Sequence, residues 1–203
     1  MRLIVGISGA SGAVYGVRIL RALAALEVET ELVVTNAGAQ TLRHELDLGV
    51  ADLSALATRT YGIRDIGAAI SSGSYRTDGM VVAPCSVKTL SGIVHSYDDN
   101  LLVRAADVTL KERRRLVLLF RETPLHLGHL RMLTAAAELG AQVFPPVPSF
   151  YHRPATLDDV VDQTVARVLD QFGLDTGFAR WRGLGPTEHR DAAGGRPDGE
   201  VTP

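Results

Sequence analysis

The 203-residue chain has one cysteine, two lysines, 5% aromatic residues and almost no net charge. A lone Cys85 excludes an intramolecular disulfide and any zinc site built from paired cysteines, so nothing points to an oxidising compartment. Twenty-one basic against 23 acidic side chains leave a formal charge of −2. That lacks the basic excess that draws nucleic acid or an anionic membrane surface. No run approaches the ~18 apolar residues of a membrane span. The apolar start, residues 1–16, is interrupted by Gly6, Ser8, Gly9 and Ser11, so strand plus turn is expected there rather than a signal peptide. The expected location is cytoplasmic.

What the chain does have is core material, since 46% of it is hydrophobic, too much for a disordered protein. At this length one domain is the default. From Gly183 onward, eight of 21 residues are Gly or Pro and almost none is apolar. The composition predicts a single domain over 1–182 and a disordered tail over 183–203.

Short apolar runs at Leu3–Ile7, Glu31–Thr35, Met80–Ala83, Leu116–Phe120 and Gln142–Phe144 predict strands. Between them, helical spacing predicts helices over Ala13–Leu26, Ala37–Glu45, Thr89–Val94, Leu101–Glu112 and Pro124–Leu139. Thr156 with Asp159 three residues on marks another helix start, followed by an apolar face from Leu157 to Phe172. That face would either cover the sheet or form an interface. Residues 46–78 carry no clear pattern. The alternation predicts an α/β, Rossmann-like, doubly wound and mostly parallel sheet.

Ser8-Gly9-Ala10-Ser11-Gly12 lies where the first strand meets the first helix. Small residues there let a ligand approach the backbone, and helix N–H groups attract phosphate. The other reading is a tight turn that needs glycine for packing alone. The spacing is neither the G-x-G-x-x-G fingerprint nor a Walker loop, and Thr35-Asn36 supplies no acidic residue for a ribose. A mononucleotide therefore fits better than a dinucleotide.

Pro84-Cys85-Ser86-Val87-Lys88-Thr89 occupies the matching place after a later strand, where Ser86 is either a helix cap or part of a site. Cys85 reads as a small buried residue before it reads as a nucleophile. Arg121-Glu122-Thr123-Pro124 follows a buried strand, at the position where a doubly wound sheet opens its ligand crevice. His126 and His129 share a helical face with no third metal ligand nearby, and read as interface or polar-core histidines. No G-x-S-x-G elbow supports serine hydrolase chemistry.

Five blocks in order resemble the UbiX-type flavin prenyltransferases, relatives of the flavin-containing Cys-decarboxylase superfamily. They are Val5–Gly12, Pro84–Ile93, Leu110–Arg114, Arg121–His126 and Phe150–Pro154, and the resemblance runs from about Arg2 to Trp181. It implies a metal-independent enzyme that joins the dimethylallyl group of dimethylallyl monophosphate to N5 and C6 of reduced FMN. The prenylated FMN would serve a UbiD-type decarboxylase. The resemblance implies FMN contacts at Gly9, Ala10, Ser11, Thr35, Ser86, Val87, Lys88, Thr89 and Arg121. It implies prenyl-phosphate contacts at Lys111, Tyr151 and Arg167, and catalytic positions at Ser11, Lys111, Glu122 and Tyr151. Glu45 carries over less directly, and Thr35 stands where the family usually has serine. Family members form homo-oligomers, typically dodecamers with active sites between subunits.

Two alternatives stand beside it. One is a flavin-dependent decarboxylase of the peptidyl-cysteine kind, but Ile70–Tyr75 lacks the histidine such enzymes use there. The other is a non-catalytic flavin-carrier subunit of a decarboxylase.

Both lysines, Lys88 and Lys111, fall in these blocks although the other 19 basic residues are arginine. A compact ammonium is not interchangeable with a planar guanidinium in a tight pocket. Lys111→Arg is therefore expected to lower turnover sharply with an unchanged circular dichroism spectrum. Near-normal turnover would return the two lysines to chance.

Overall fold

Strand and helix alternate from the first residues, and the four longest strands are buried on both faces along nearly all of their length. In chain order the elements are β1 (Arg2–Ile7), α1 (Ala13–Ala25), β2 (Glu29–Val34), α2 (Asn36–Leu46), α3 (Val50–Ser54), β3 (Arg59–Tyr61), β4 (Gly79–Cys85), α4 (Val87–Val94), α5 (Leu101–Lys111), β5 (Arg115–Phe120), α6 (Leu127–Glu138), β6 (Gln142–Val143) and α7 (Leu157–Asp170). This computed structural model describes residues 1–178, 180, 181 and 183. Apart from Gly183, the tail expected over 183–203 lies outside the described residues.

The six strands form one sheet in the order β3-β2-β1-β4-β5-β6, and every pairing is parallel. The order reverses between β1 and β4, which places the crevice of a doubly wound sheet at the carboxyl ends of those two strands. Side-chain alternation sorts the strands into two cores. Leu3, Val5, Ile7, Val81 and Val117 pack with α1 and α7 on one face. Ile4, Met80, Val82, Leu116 and Leu118 pack with α4 and α5 on the other.

Three expectations change. Residues 46–78 hold α3, β3 and a short 3-10 turn at Ala69–Ser71. The three-residue edge strand Arg59–Tyr61 escaped the pattern because none of its side chains is fully buried. The strand expected to stop at Ala83 runs on to Cys85, with Pro84 in an offset where the β4–β5 register shifts between Val82 and Cys85. Helix α6 starts at Leu127 rather than Pro124, because the His126 side chain caps it by accepting from the Gly128 N–H.

The apolar face of α7 covers its own sheet, for Val161, Val165, Val168 and Leu169 are buried against the first core. Helix α6 packs Ala136, Met132 and Leu133 on the second core and also carries apolar residues outward. Only Ala136 is buried in it, while Leu127, Leu130 and, just past its end, Leu139 are 59%, 48% and 49% exposed.

Leu102 on α5 is fully buried in the second core. Leu102→Ala is expected to cost about 2–5 kcal/mol in denaturant unfolding. Ile66→Ala, at an exposed loop position, is expected to stay within about 0.5 kcal/mol of the parent.

Candidate active site

The loops leaving β1, β2, β4 and β5 are laced into one platform at the carboxyl edge. The buried Ser8 hydroxyl donates to the Pro84 carbonyl at 2.8 Å and accepts from the Ser86 N–H at 2.8 Å. The Thr35 N–H donates to the Ile7 carbonyl at 2.9 Å, and the Arg121 N–H to the Cys85 carbonyl at 3.1 Å. Gly9 rests against α2, where an added Cβ would lie 2.4 Å from the Ala37 Cβ. Glycine is thus required there by packing, which was the plainer of the two readings, and it also leaves the loop backbone bare.

Two helices open onto this platform. Thr35 caps α2 by accepting from the Gly38 N–H, and Ser86 caps α4 by accepting from the Thr89 N–H. The N–H groups before those, at Asn36, Ala37, Val87 and Lys88, point outward as in any first helical turn. Helix starts, hydroxyls and a guanidinium at Arg121 make a donor set suited to a phosphate and to the polar edge of a flavin. The Lys88 ammonium takes no part in it. It is 85% exposed and lies 3.5 Å from Asp99, so its expected contact with the flavin is left to its backbone.

The start of α1 is different. The Glu45 carboxylate accepts from the Gly12 N–H at 3.0 Å and the Ala13 N–H at 2.9 Å. Burial pushes this carboxyl upward, but bonds from Ser11, Ala13 and Gly12, with the positive Arg121 nearby, outweigh burial and hold it below its ordinary value. The anion expected at the first strand–helix turn is therefore supplied in part by the protein itself. Glu45 is brought in from the end of α2, 33 positions along the chain from Gly12, and no local pattern announces it. Beside it, Ser11, Tyr15, Arg121, Pro146 and Val161 line a cavity of about 490 Å³. That is within the size range of small-molecule sites. Glu122 borders this region with its carboxylate turned back onto the Thr123 N–H at 2.9 Å. Cys85 lies fully buried beneath, its thiol pushed up to about 12 by burial. That makes it no nucleophile.

Tyr151 and Arg167 belong to a second cluster. With Trp181 they line a separate cavity of about 360 Å³. The Tyr151 and Trp181 rings meet edge to face at 5.1 Å, and the Arg167 guanidinium donates to Asp170 at 2.8 Å. Asp158 of α7 lines the first cavity and Arg167 the second. Nine residues along a helix separate them by about 14 Å.

Lys111 stands apart from both. It ends α5 and precedes β5, so it lies at the amino edge of the sheet, whereas Arg121 follows the carboxyl end of the same strand. Six strand residues put about 20 Å between the two edges. One chain thus brings together Gly9, Ala10, Ser11, Thr35, Ser86, Val87, Thr89, Arg121 and Glu122, and holds Tyr151 with Arg167, but leaves Lys111 alone. His126 and His129 form a stacked pair with ring centroids 3.7 Å apart at the start of α6.

The lowered Glu45 carboxyl has a stability consequence. Stability from a depressed carboxyl is complete above its ordinary value of 4.5 and is lost as pH falls through the folded-state value. Glu45→Gln should flatten this part of the acid limb when unfolding midpoints are compared between pH 6 and pH 3.

The family model described as Flavoprotein matches residues 1–169. The flavin prenyltransferase UbiX of Escherichia coli (strain K12) is 63% identical over 186 residues, which cover 90% of this chain and 98% of the relative. Among solved structures, AnUbiX in complex with FMN and dimethylallyl pyrophosphate is 48% identical with a TM-score of 0.89, covering 90% of this chain and 98% of that one. A dodecameric FMN-dependent UbiX-like decarboxylase from Escherichia coli O157:H7 is 50% identical with a TM-score of 0.88, covering 91% of this chain and all of that one. The chain belongs to the flavoproteins and, within them, to the UbiX flavin prenyltransferase family.

Proposed function

We propose that this enzyme joins the dimethylallyl group of dimethylallyl monophosphate to N5 and C6 of reduced FMN, without a metal, and releases prenylated FMN to a UbiD-type decarboxylase. The observation that carries the proposal is the platform at the switch point, where the starts of α2 and α4 and Arg121 converge. It offers phosphate and ring-edge donors, and Thr35-Asn36 at the end of β2 supplies no acidic residue for a ribose. The structural relative that binds both FMN and a dimethylallyl ester supports the pairing of substrates.

The chemistry asks for two things. Breaking the allylic C–O bond leaves charge on the departing phosphate and cation character on the five-carbon group. The Lys111 ammonium, the Arg167 guanidinium and the Tyr151 hydroxyl stabilise the phosphate. Trp181, edge to face with Tyr151, offers a π surface to the cation. Bond formation at N5 releases one proton, and ring closure at C6 takes one up and returns one, so the sum is dimethylallyl phosphate plus reduced FMN giving prenylated FMN plus phosphate. Glu122 and the released phosphate carry these protons. Ser11, bonded to Glu45, holds its hydroxyl at the rim of the flavin platform.

These groups act together only if copies of the chain combine. Ser11 and Arg121, the Tyr151–Arg167 pair, and Lys111 lie in three separate places on one chain. We infer a homo-oligomer, dodecameric like the structural relative, in which neighbouring copies bring Lys111 and the Tyr151 cluster to the flavin platform. The exposed leucines of α6 are the surface that such an assembly would cover.

Anaerobic incubation with reduced FMN and dimethylallyl monophosphate should add a five-carbon mass to the flavin. A protein-free filtrate should then activate a UbiD-type decarboxylase. Unmodified FMN, or carbon dioxide released from a cysteinyl substrate instead, would overturn the proposal. Sharing of sites has its own test. Arg121→Ala and Lys111→Ala should each lose most of their turnover alone, the residue in Lys111→Ala staying measurable at high dimethylallyl monophosphate, and oligomers co-assembled from both should regain a fraction of it.

A further inference from the structure

The segment between the 3-10 turn and β4, residues 72–78, has no regular structure, yet it is braced from three sides. Arg104 donates to the Ser71 carbonyl at 3.2 Å. Arg114 donates to the Gly73 carbonyl at 2.6 Å and the Tyr75 carbonyl at 2.9 Å. The Tyr75 hydroxyl donates to Glu31 at 2.5 Å, with the Arg2 guanidinium 4.9 Å from the centre of its ring. Glu31 is 2% exposed, and its second oxygen has no partner. A buried carboxylate in that condition depends on each donor it keeps.

The braced segment abuts Lys111. A Cβ at Gly73 would lie 2.0 Å from Glu112 Oε1 and 2.7 Å from Lys111 Nζ. Those two atoms are themselves paired at 2.5 Å. Only a residue without a side chain lets the pair rest where it does.

We propose that this is a positioning device for Lys111: the Tyr75–Glu31 hydrogen bond fixes the Gly73 backbone as a wall, and Glu112 holds the Lys111 ammonium against it. The inference rests on the reading of Lys111 as a ligand of the prenyl phosphate. A lysine on a flexible four-carbon stem, reaching across a subunit boundary, gains most from being held before the substrate arrives. Burial, and then the Glu31 acceptor, push the Tyr75 hydroxyl up to about 12, so it remains a donor at neutral pH. Gly73, Tyr75 and Glu112 are positioning residues, since each acts through Lys111.

The test separates this device from a merely structural role. In Gly73→Ala the new Cβ meets the far ends of two flexible side chains, so the pair moves and the backbone need not. With reduced FMN saturating, the KM for dimethylallyl monophosphate should rise on the order of tenfold to a hundredfold. FMN affinity by fluorescence quenching and the oligomeric mass should not change. Tyr75→Phe should shift KM in the same direction, with a lower melting temperature because buried Glu31 loses its closest donor and keeps only Arg2 at 3.5 Å. Made in the Lys111→Ala background, Gly73→Ala should add nothing further. If Lys111→Ala raises KM and Gly73→Ala does not, the positioning inference falls while the role of Lys111 stands. If Lys111→Ala itself leaves KM unchanged, that role fails and the inference with it. An equal, additive loss from Gly73→Ala in both backgrounds would also overturn it.

Discussion

Everything at the carboxyl edge depends on one buried hydroxyl. Ser8 sits at the topological switch point, where the loops after β1 and β4 must lie side by side although 76 positions separate Ser8 from Pro84. Parallel strands cannot be joined by a hairpin there, so side-chain and backbone bonds between loops do the joining. One oxygen donates to Pro84 and accepts from Ser86. That contact sets the start of α4 relative to the start of α1.

The same edge shows how a helix start is used in two ways. At α2 and α4 the capping hydroxyls satisfy the third N–H and leave the first two outward. At α1 the Glu45 carboxylate takes Gly12 and Ala13. A fixed negative charge beside Arg121 and Ser11 divides the crevice into a part that welcomes an incoming anion and a part that already holds one. Electrostatic preorganisation of this kind is effective because the dipoles need not reorient when substrate arrives.

Distance imposes the second constraint. A sheet about 20 Å deep places Lys111 and Arg121 at opposite edges, and α7 carries Arg167 away from the Ser11 cavity. No side-chain rotation closes such gaps. A site that used all of these residues at once would need more than one copy of the chain, as in the assembly proposed above. The braced turn at Gly73 belongs to this constraint too, because a lysine offered to a neighbour must be held by its own chain.

Much of this was legible in the amino-acid order, because it rests on local regularities. Apolar runs such as Leu116–Phe120 are strands wherever both faces are covered, and Thr156 with Asp159 starts a helix by satisfying its own N–H groups. The platform at the carboxyl edge was equally readable, since in a parallel α/β sheet the residues after each strand fall on one edge. What the order of residues could not show was anything set by long-range approach. Edge strand β3 carries too little burial to leave a pattern, Glu45 reaches α1 only after folding, and α7 buries its apolar face on the sheet while α6 packs one face and leaves Leu127 and Leu130 exposed. Periodicity says that a helix has an apolar face; only packing decides whether the chain's own sheet or another surface covers it. In the same way the sequence named Lys111, Tyr151 and Arg167 by their blocks, and the tertiary structure alone placed them apart.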